Sequence, residues 1–496
     1  MQAWDFYTTN ELKARGWLKR QLEIQASGLC GHLDSVWPDV RDSAWIGGSR
    51  EGWERVPYWL DGFIPLAYLL EDRDMIARAG RYVDAILRAQ RPDGWICPCK
   101  DEERSGYDPW AILLISKVLT VCYDCSKDVR IPEVLYRLLR NAYELLQSGE
   151  IRLFNWGKFR YFEGLIAVRF LYARCGEDWL LRLAALLKAQ GTDYGSLTGL
   201  WKTPLNRWRF ETHIVNIAMM LKAEALECTL TGAPYTDQAE ALHKILERYN
   251  GTPVGLFTGD ECLSGLSPIQ GTELCAVVEQ MYAYEWLYAC TGEDKWAERL
   301  ELLAFNALPA ACSDDMWAHQ YVQMSNQIAC EIFPGKPVFR TNGADAHIFG
   351  LEPNFGCCTA NFGQGWPKFA LSAFLHRGDT VVSAVPVPSE LTDGGIHIVL
   401  ETDYPFENRL VYTVETDRPF TLVVRAPSFA ENLTVNGEAP SGELRFSFGR
   451  AIGARSSCAS ALRPALRPVR TDCLPFGAVR WSFRSPSRMK SGCMST

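Results

Sequence analysis

Along most of the chain apolar residues recur at helical spacing, in pairs of segments separated by short acidic turns. Three such stretches share one design: Tyr68-Leu-Leu-Glu-Asp-Arg-Asp-Met-Ile-Ala-Arg-Ala-Gly, Tyr172-Ala-Arg-Cys-Gly-Glu-Asp-Trp-Leu-Leu-Arg-Leu-Ala and Tyr288-Ala-Cys-Thr-Gly-Glu-Asp-Lys-Trp-Ala-Glu-Arg-Leu. Each predicts a helix, a tight turn and a second helix. Gly at the turn suits a helix C-terminus, and the Asp after it suits the start of the next helix. A looser copy runs from Thr229 through Thr-Gly-Ala-Pro-Tyr-Thr-Asp to Leu242. Stacked hairpins bury their apolar faces in an open solenoid or a closed ring. Aromatic-rich loops between them favour an α/α toroid, with the loops gathered at one end around a pocket suited to a sugar. A solenoid scaffold is the alternative.

From about Asp379 the period changes to two, in Thr380-Val-Val-Ser-Ala-Val, Gly395-Ile-His-Ile-Val-Leu, Arg409-Leu-Val-Tyr-Thr-Val and Phe420-Thr-Leu-Val-Val-Arg. Leu433-Thr-Val-Asn-Gly-Glu adds an Asn-Gly hairpin turn. The chain therefore divides into a helical catalytic domain over 1–375, a β-sandwich-like accessory domain over 376–449 that stops short, and a tail over 450–496. From Ala451 the tail holds seven Arg, one acid and three Cys without usable periodicity; it is read as disordered, and no function is placed there.

A length of 496 residues, beyond the size of one hydrophobic core, agrees with two domains. Hydrophobic residues at 47% and charged ones at 22% are those of an ordinary globular protein. The net charge of −8 argues against nucleic acid or an anionic membrane as partner. No apolar run reaches transmembrane length, and no basic and apolar leader opens the chain. Seventeen cysteines in such a chain read as reduced thiols, some of them metal ligands, rather than as a disulfide framework. The expected compartment is the cytoplasm, and a homodimer is left open.

Asn354-Phe-Gly-Cys357-Cys358-Thr-Ala-Asn361 is the most informative stretch. Vicinal cysteines are strained disulfide partners, but on a kinked loop both sulfurs can face one metal. Glu273-Leu-Cys275 offers a carboxylate and a third sulfur, which together make a set zinc accepts. Buried structural thiols are the competing reading. Cys122 and Cys125, at the end of the apolar run Ala111 to Val121, read as packing, and Cys97-Pro-Cys99 lacks a His partner.

Glycosidic cleavage also needs a carboxyl to protonate the leaving oxygen. Glu261, in the Gly-bearing loop Phe257-Thr-Gly-Asp-Glu-Cys-Leu-Ser-Gly, is the candidate, against a solvated loop acid. The stretch from Trp45 to Gly62 is dense in Trp, Gly and acid and reads as a sugar-binding rim. Trp45, Tyr58 and Asp61 there, with Trp201 and His213 further along, are the candidate substrate contacts; packing of the tryptophans and a core or capping His are the alternatives. No P-loop, dinucleotide fingerprint or His-Glu-x-x-His motif is present.

Taken together, Trp53-Glu-Arg-Val-Pro-Tyr-Trp-Leu-Asp-Gly62, Glu273-Leu-Cys275 and Gly356-Cys357-Cys358 resemble the β-L-arabinofuranosidases of glycoside hydrolase family 127, over residues 30–445. The resemblance implies an (α/α)6 barrel followed by β-sandwich domains, and a Zn2+ ion held by Glu273, Cys275, Cys357 and Cys358. It implies Cys357 as nucleophile of a retaining mechanism, Glu261 as acid/base and His213 as a substrate contact. Where the family carries a second His, this chain has Arg160-Tyr161. The implied activity is release of L-arabinofuranose, or a related plant-cell-wall sugar, from non-reducing ends of a small carbohydrate. Two rivals stay open: another toroid sugar enzyme (a hydrolase of acidic pectic sugars or an epimerase), and a non-catalytic carbohydrate-binding protein with structural zinc.

Overall fold

The computed structural model describes residues 2–327, 329–332, 339–350, 356–440 and 442–449, and the backbone of 451–464. In chain order its main helices are α1 (Gly16–Ser27), α2 (Arg55–Leu69), α3 (Arg73–Arg88), α4 (Trp110–Ser126), α5 (Arg130–Ser148), α6 (Gly164–Cys175), α7 (Asp178–Gln190), α8 (Ile214–Met220), α9 (Ala223–Thr231), α10 (Gln238–Asn250), α11 (Leu274–Thr291), α12 (Asp294–Leu302), α13 (Gly356–Asn361) and α14 (Gly365–Leu371).

They are of two kinds. Helices α2, α4 and α11 are apolar nearly all round and buried on almost every face, whereas α3 and α5 carry one apolar stripe and one charged face. The first kind lines the ring. Helix α2 packs on α4, α4 on α6, α6 on α9, α8 and α9 on α11, and α11 on α13 and α14, which return to α2. The amphipathic α1, α3, α5, α7, α10 and α12 alternate with these in sequence and lay their stripes on the outside, which completes an (α/α)6 toroid.

The hairpin turns form as the pattern requires. Gly176, Gly232 and Gly292 end α6, α9 and α11 at φ of +65°, +71° and +73°, the left-handed cap glycine takes without strain. The first copy lacks a glycine, and Glu71 itself adopts φ +56° while the Asp72 side chain caps the Met75 N–H of α3. The cysteines read as packing, Cys122 and Cys125, are buried in α4.

The period-two region folds as two sheets. The strands are β1 (Asp5–Phe6), β2 (Leu12–Ala14), β3 (Gly271–Glu273), β4 (Val322–Met324), β5 (Phe374–Arg377), β6 (Thr380–Ser383), β7 (Ser389–Asp393), β8 (Ile396–Thr402), β9 (Arg409–Thr416), β10 (Phe420–Val424), β11 (Ala430–Val435), β12 (Arg445–Phe448) and β13 (Ala451–Pro464). One sheet runs β1-β5-β6-β10-β12, the other β11-β13-β9-β8-β7-β2, and β3 with β4 forms a separate ribbon. Leu410, Tyr412 and Val414 of β9 are buried, and the Tyr412 hydroxyl meets Ser383 of β6 at 2.8 Å across the two layers. The Asn-Gly turn is present, with Asn436 and Gly437 both at positive φ.

Two features depart from the sequence reading. The β unit is not confined to the C-terminal part, because β1 pairs with β5 and β2 with β7. Two- and three-residue strands carry too little pattern to be seen in a sequence. The segment set aside as a disordered tail also contributes a strand: β13 lies between β9 and β11 and pairs antiparallel with both. Backbone pairing needs no hydrophobic periodicity, and β9 offers its second edge to it. Residues 465–496 lie outside the described residues. No described helix is long and apolar enough to cross a membrane.

Candidate functional site

The inner helices start at one end of the ring, and the candidate residues stand at those starts. Arg55 is the first residue of α2, Trp110 opens α4, His213 caps α8, Glu273 caps α11 and Cys357 lies in the first turn of α13. Converging helix N-termini place positive dipole ends around the site, a setting that favours thiolate and carboxylate.

Glu273 ends β3, which pairs with β4 so that Glu273 faces Val322; the chain then turns into α11 and brings Cys275 into its first turn. The Cys275 N–H donates to Cys358 Sγ at 3.2 Å, and Glu273 Oε1 lies 3.8 Å from Cys357 Sγ and 3.9 Å from Cys358 Sγ. All four donor atoms of Glu273, Cys275, Cys357 and Cys358 fall within 4.8 Å of one another. Gly356 is fixed by close approach: a Cβ there would sit 2.9 Å from both Arg55 Nε and a Trp37 ring carbon. Asn354 and Phe355 of the motif lie outside the described residues.

The cluster fits a soft divalent cation by its own chemistry. Glu273, Cys275 and Cys358 are buried, and Glu273 Oε2 accepts no hydrogen bond. Burial, with Glu261 and Cys357 beside it, pushes the Glu273 carboxyl well above its ordinary range. Burial likewise raises the thiols of Cys275 and Cys358. Hydrogen bonds from Cys275 and then Cys358 hold Cys357 well below the usual thiol range, with Arg55 adding to them against burial. A cation among the four donors would relieve this clustering of like charge, and one oxygen with three sulfurs is a zinc set. Cys357 is half-buried, whereas Cys275 and Cys358 are fully enclosed.

Glu261 meets the cluster from the opposite side. Its Oε1 accepts from the Tyr321 hydroxyl at 2.5 Å and its Oε2 from the Trp208 indole at 3.2 Å. The Tyr321 hydroxyl also lies 3.8 Å from Cys357 Sγ, so it is the common neighbour of sulfur and carboxyl. His213 Nε2 stands 3.3 Å from Glu261 Oε2 and 4.0 Å from Glu273 Oε2. Its Nδ1 accepts from the Asn216 N–H at 3.4 Å, which leaves the ring proton on Nε2, facing the carboxylates. The adjacent Asp260 is spent on the fold, accepting from Ser264 and Thr341.

No family model matches this sequence, and no curated protein does. Many solved structures match it, and three of them do so along nearly its whole length. The GH127 β-L-arabinofuranosidase of Geobacillus stearothermophilus T6 is 15% identical, with 91% of this chain and 81% of that one covered and a TM-score of 0.69. Another GH127 β-arabinofuranosidase (14% identity, 92% and 80% covered) and a glycoside hydrolase (13% identity, 93% and 78% covered) both reach a TM-score of 0.66. The fold is GH127-like.

Within this GH127-like barrel the candidate contacts from the sequence separate into two groups. Cys357, Cys358, Cys275, Glu273, Glu261 and His213 converge. Tyr58 stands behind them, its hydroxyl 3.0 Å from Arg160. Asp61 does not reach the site; it is fully buried one turn deeper along α2, between Lys117 at 3.0 Å and Lys368 at 2.7 Å. Trp45 is buried with its N–H on the Trp53 carbonyl, and Trp201 is buried with its N–H on the Glu211 carbonyl, so both build walls.

Three residues of the site had no sequence signal, Tyr321, Trp208 and Asn342, and Arg55 stood in the Trp53–Gly62 motif without a role of its own. Tyr321 and Asn342 come from irregular chain between helices, and only the fold brings them to Glu261, which Asn342 Nδ2 approaches to 3.4 Å. Arg160, noted from the sequence only as a departure, is buried between the Trp110 and Trp156 rings, with its guanidinium carbon 4.7 and 4.3 Å from their centroids. It donates to Asn216 at 2.7 Å and lies 3.6 Å from Glu54.

Proposed function

We propose that this protein is a retaining glycoside hydrolase that releases L-arabinofuranose, or a closely related sugar, from non-reducing ends, with Cys357 as nucleophile and Glu261 as acid/base. The observation that carries the reading is the pairing of one half-buried sulfur, Cys357, with a carboxyl on the far side of a shared hydroxyl, that of Tyr321. The sugar is that of two solved arabinofuranosidases with the same fold.

Glu273, Cys275, Cys357 and Cys358 would hold the zinc. When bound there it keeps Cys357 as a thiolate near neutral pH, where a free thiol of pKa ~8.5 is mostly protonated. The Cys357 sulfur attacks the anomeric carbon, the glycosidic C–O bond breaks, and Glu261 gives its proton to the departing oxygen. Water then attacks the same carbon while Glu261 takes its proton, the C–S bond breaks, and the sugar leaves with retained configuration. His213 and Trp208 hold the Glu261 carboxyl in place for both steps. Fourteen cysteines with described side chains are all free thiols, in keeping with a reducing compartment such as the cytoplasm.

The test is release of L-arabinose from a β-L-arabinofuranosyl substrate, with anomeric configuration followed by NMR and bound zinc quantified in the same sample. Turnover with retention and about one zinc per chain supports the reading. No turnover in a zinc-loaded, folded sample, or inversion of configuration, sinks it.

A further inference from the structure

Beneath the candidate site the axis of the toroid is filled with charge instead of hydrocarbon. Asp61 of α2, Lys117 of α4, Glu163 just before α6, Lys222 between α8 and α9, Glu279 of α11 and Lys368 of α14 are all buried. Taken helix by helix around the ring, their signs alternate without exception. Lys117 bridges Asp61 at 3.0 Å and Glu163 at 3.3 Å, Lys222 pairs with Glu163, and Lys368 returns to Asp61 at 2.7 Å. The Tyr282 ring lies at the hub, with the three ammonium groups 5.2, 5.4 and 3.7 Å from its centroid.

Such a ring is expensive to bury, and well-packed apolar side chains of similar volume often stabilise a core as well or better. One member of the ring touches the thiolate cluster's own supports. Glu279 follows Cys275 by one turn of α11, and Asn361 follows Cys357 by one turn of α13. Asn361 Nδ2 donates to Glu279 Oε1 at 3.1 Å, Gln364 Nε2 donates to the same oxygen at 2.9 Å and also to Asn361 Oδ1, and Gln364 Oε1 accepts from Lys368 at 2.8 Å. The two helices that carry the sulfurs are thus stapled directly below them, and the staple is tied to the ring.

We propose that Glu279, with Asn361 and Gln364, is a positioning element that holds the Cys357–Cys358 turn against Cys275 at metal-binding separation. This rests on the reading of those cysteines as zinc ligands. Groups hydrogen-bonded to metal ligands are worth 10- to 100-fold in metal affinity, the scale taken here for a staple that acts one helical turn further back.

The experiment uses the full chain, stripped of metal by a chelator. Zinc affinity is measured by competition with a chromophoric chelator, and cobalt is added separately, since its thiolate charge-transfer and d–d bands report the number and arrangement of sulfurs. Glu279→Leu, which cannot accept the two amides, is expected to weaken zinc binding 10- to 100-fold and to shift the cobalt bands. Glu279→Gln, which accepts both through its own carbonyl oxygen, is expected to restore affinity to within about threefold of wild type. Lys222→Met, on the far side of the ring, is expected to lower Tm while leaving the zinc affinity and cobalt spectrum in place. If Glu279→Leu does not fold, Asn361→Ala removes the α13 donor and carries the same expectation. Wild-type affinity and bands in the Leu or Ala variant overturn the proposal, as does equal loss in Lys222→Met at equal Tm. A wild type that shows no thiolate–cobalt band overturns the zinc reading instead, so the two failures are distinguishable.

Discussion

Replacing Tyr321 with Phe removes a single oxygen from the centre of the site. The side chain is buried, and its hydroxyl donates to Glu261 at 2.5 Å while facing Cys357 at 3.8 Å. Glu261 keeps three other neighbours, Trp208, Asn342 and His213, so the carboxyl is not orphaned and the fold should lose little. A hydrogen bond to a charged group is worth about 1.5–3 kcal/mol. If that bond sets the carboxyl in its working position, the whole amount appears in the barrier, a fall in kcat of roughly 10- to 150-fold. KM should change much less, because the bond removed is the one to Glu261, the proposed acid/base. The assay is initial-rate kinetics on an aryl β-L-arabinofuranoside, with zinc content and Tm measured on the same preparation. Activity within twofold of wild type at full zinc occupancy would refute the reasoning; so would a loss explained entirely by KM.

Cys357→Ser should lower turnover by several orders of magnitude with the fold intact, each tenfold being ~1.4 kcal/mol of barrier, while Cys358→Ser should lose mainly metal, seen by metal analysis. Lys117→Met leaves the buried ring one positive charge short, although Asp61 keeps Lys368 and Glu163 keeps Lys222, so about 3–5 kcal/mol of stability should go, read by denaturant unfolding. Burial raises Glu285 from 4.5 to about 8, so the folded state holds a proton the unfolded chain releases, and this group's contribution is lost as pH rises between those values. Glu285→Gln should therefore gain stability over wild type by up to about 1.4 kcal/mol per pH unit through that window and no further above it; a flat difference would contradict it. Arg160→Lys, losing the fork between Tyr58 and Asn216 and the stacking on two tryptophans, should cost about tenfold in kcat/KM despite the retained charge.

The parts legible in the sequence were those written in contiguous residues. Vicinal sulfurs, a carboxylate two positions from a third sulfur, and the Gly-acid turns between helices all state their chemistry locally. Tyr321 and Asn342 could not be read, because nothing around them marks a loop that folds back over the site. Asp61 was misplaced for an instructive reason. Its neighbours are rich in Trp, Gly and acid, which suggested a rim, yet the chain is already helical from Arg55. The better signal was present: a charge in the middle of a helix apolar nearly all round, as with Lys117 in α4, marks a group that must meet its opposite inside the ring. The outermost strands were invisible because two or three residues show no period.

The first strands of the chain carry a consequence for how the protein is made. Asp5 pairs with His376 and Leu12 with Leu391, so β1 and β2 leave the ribosome long before their partners exist. At 5–20 residues per second the wait is roughly 20–75 s, during which the helices between can close while these strands have nothing to pair with. Helical ring and sheets are therefore sewn together by two strands that precede every helix of the ring. A cut near residue 375 would not yield two independent halves, since the C-terminal piece would lack one strand of each sheet and the N-terminal piece would expose two strands without partners.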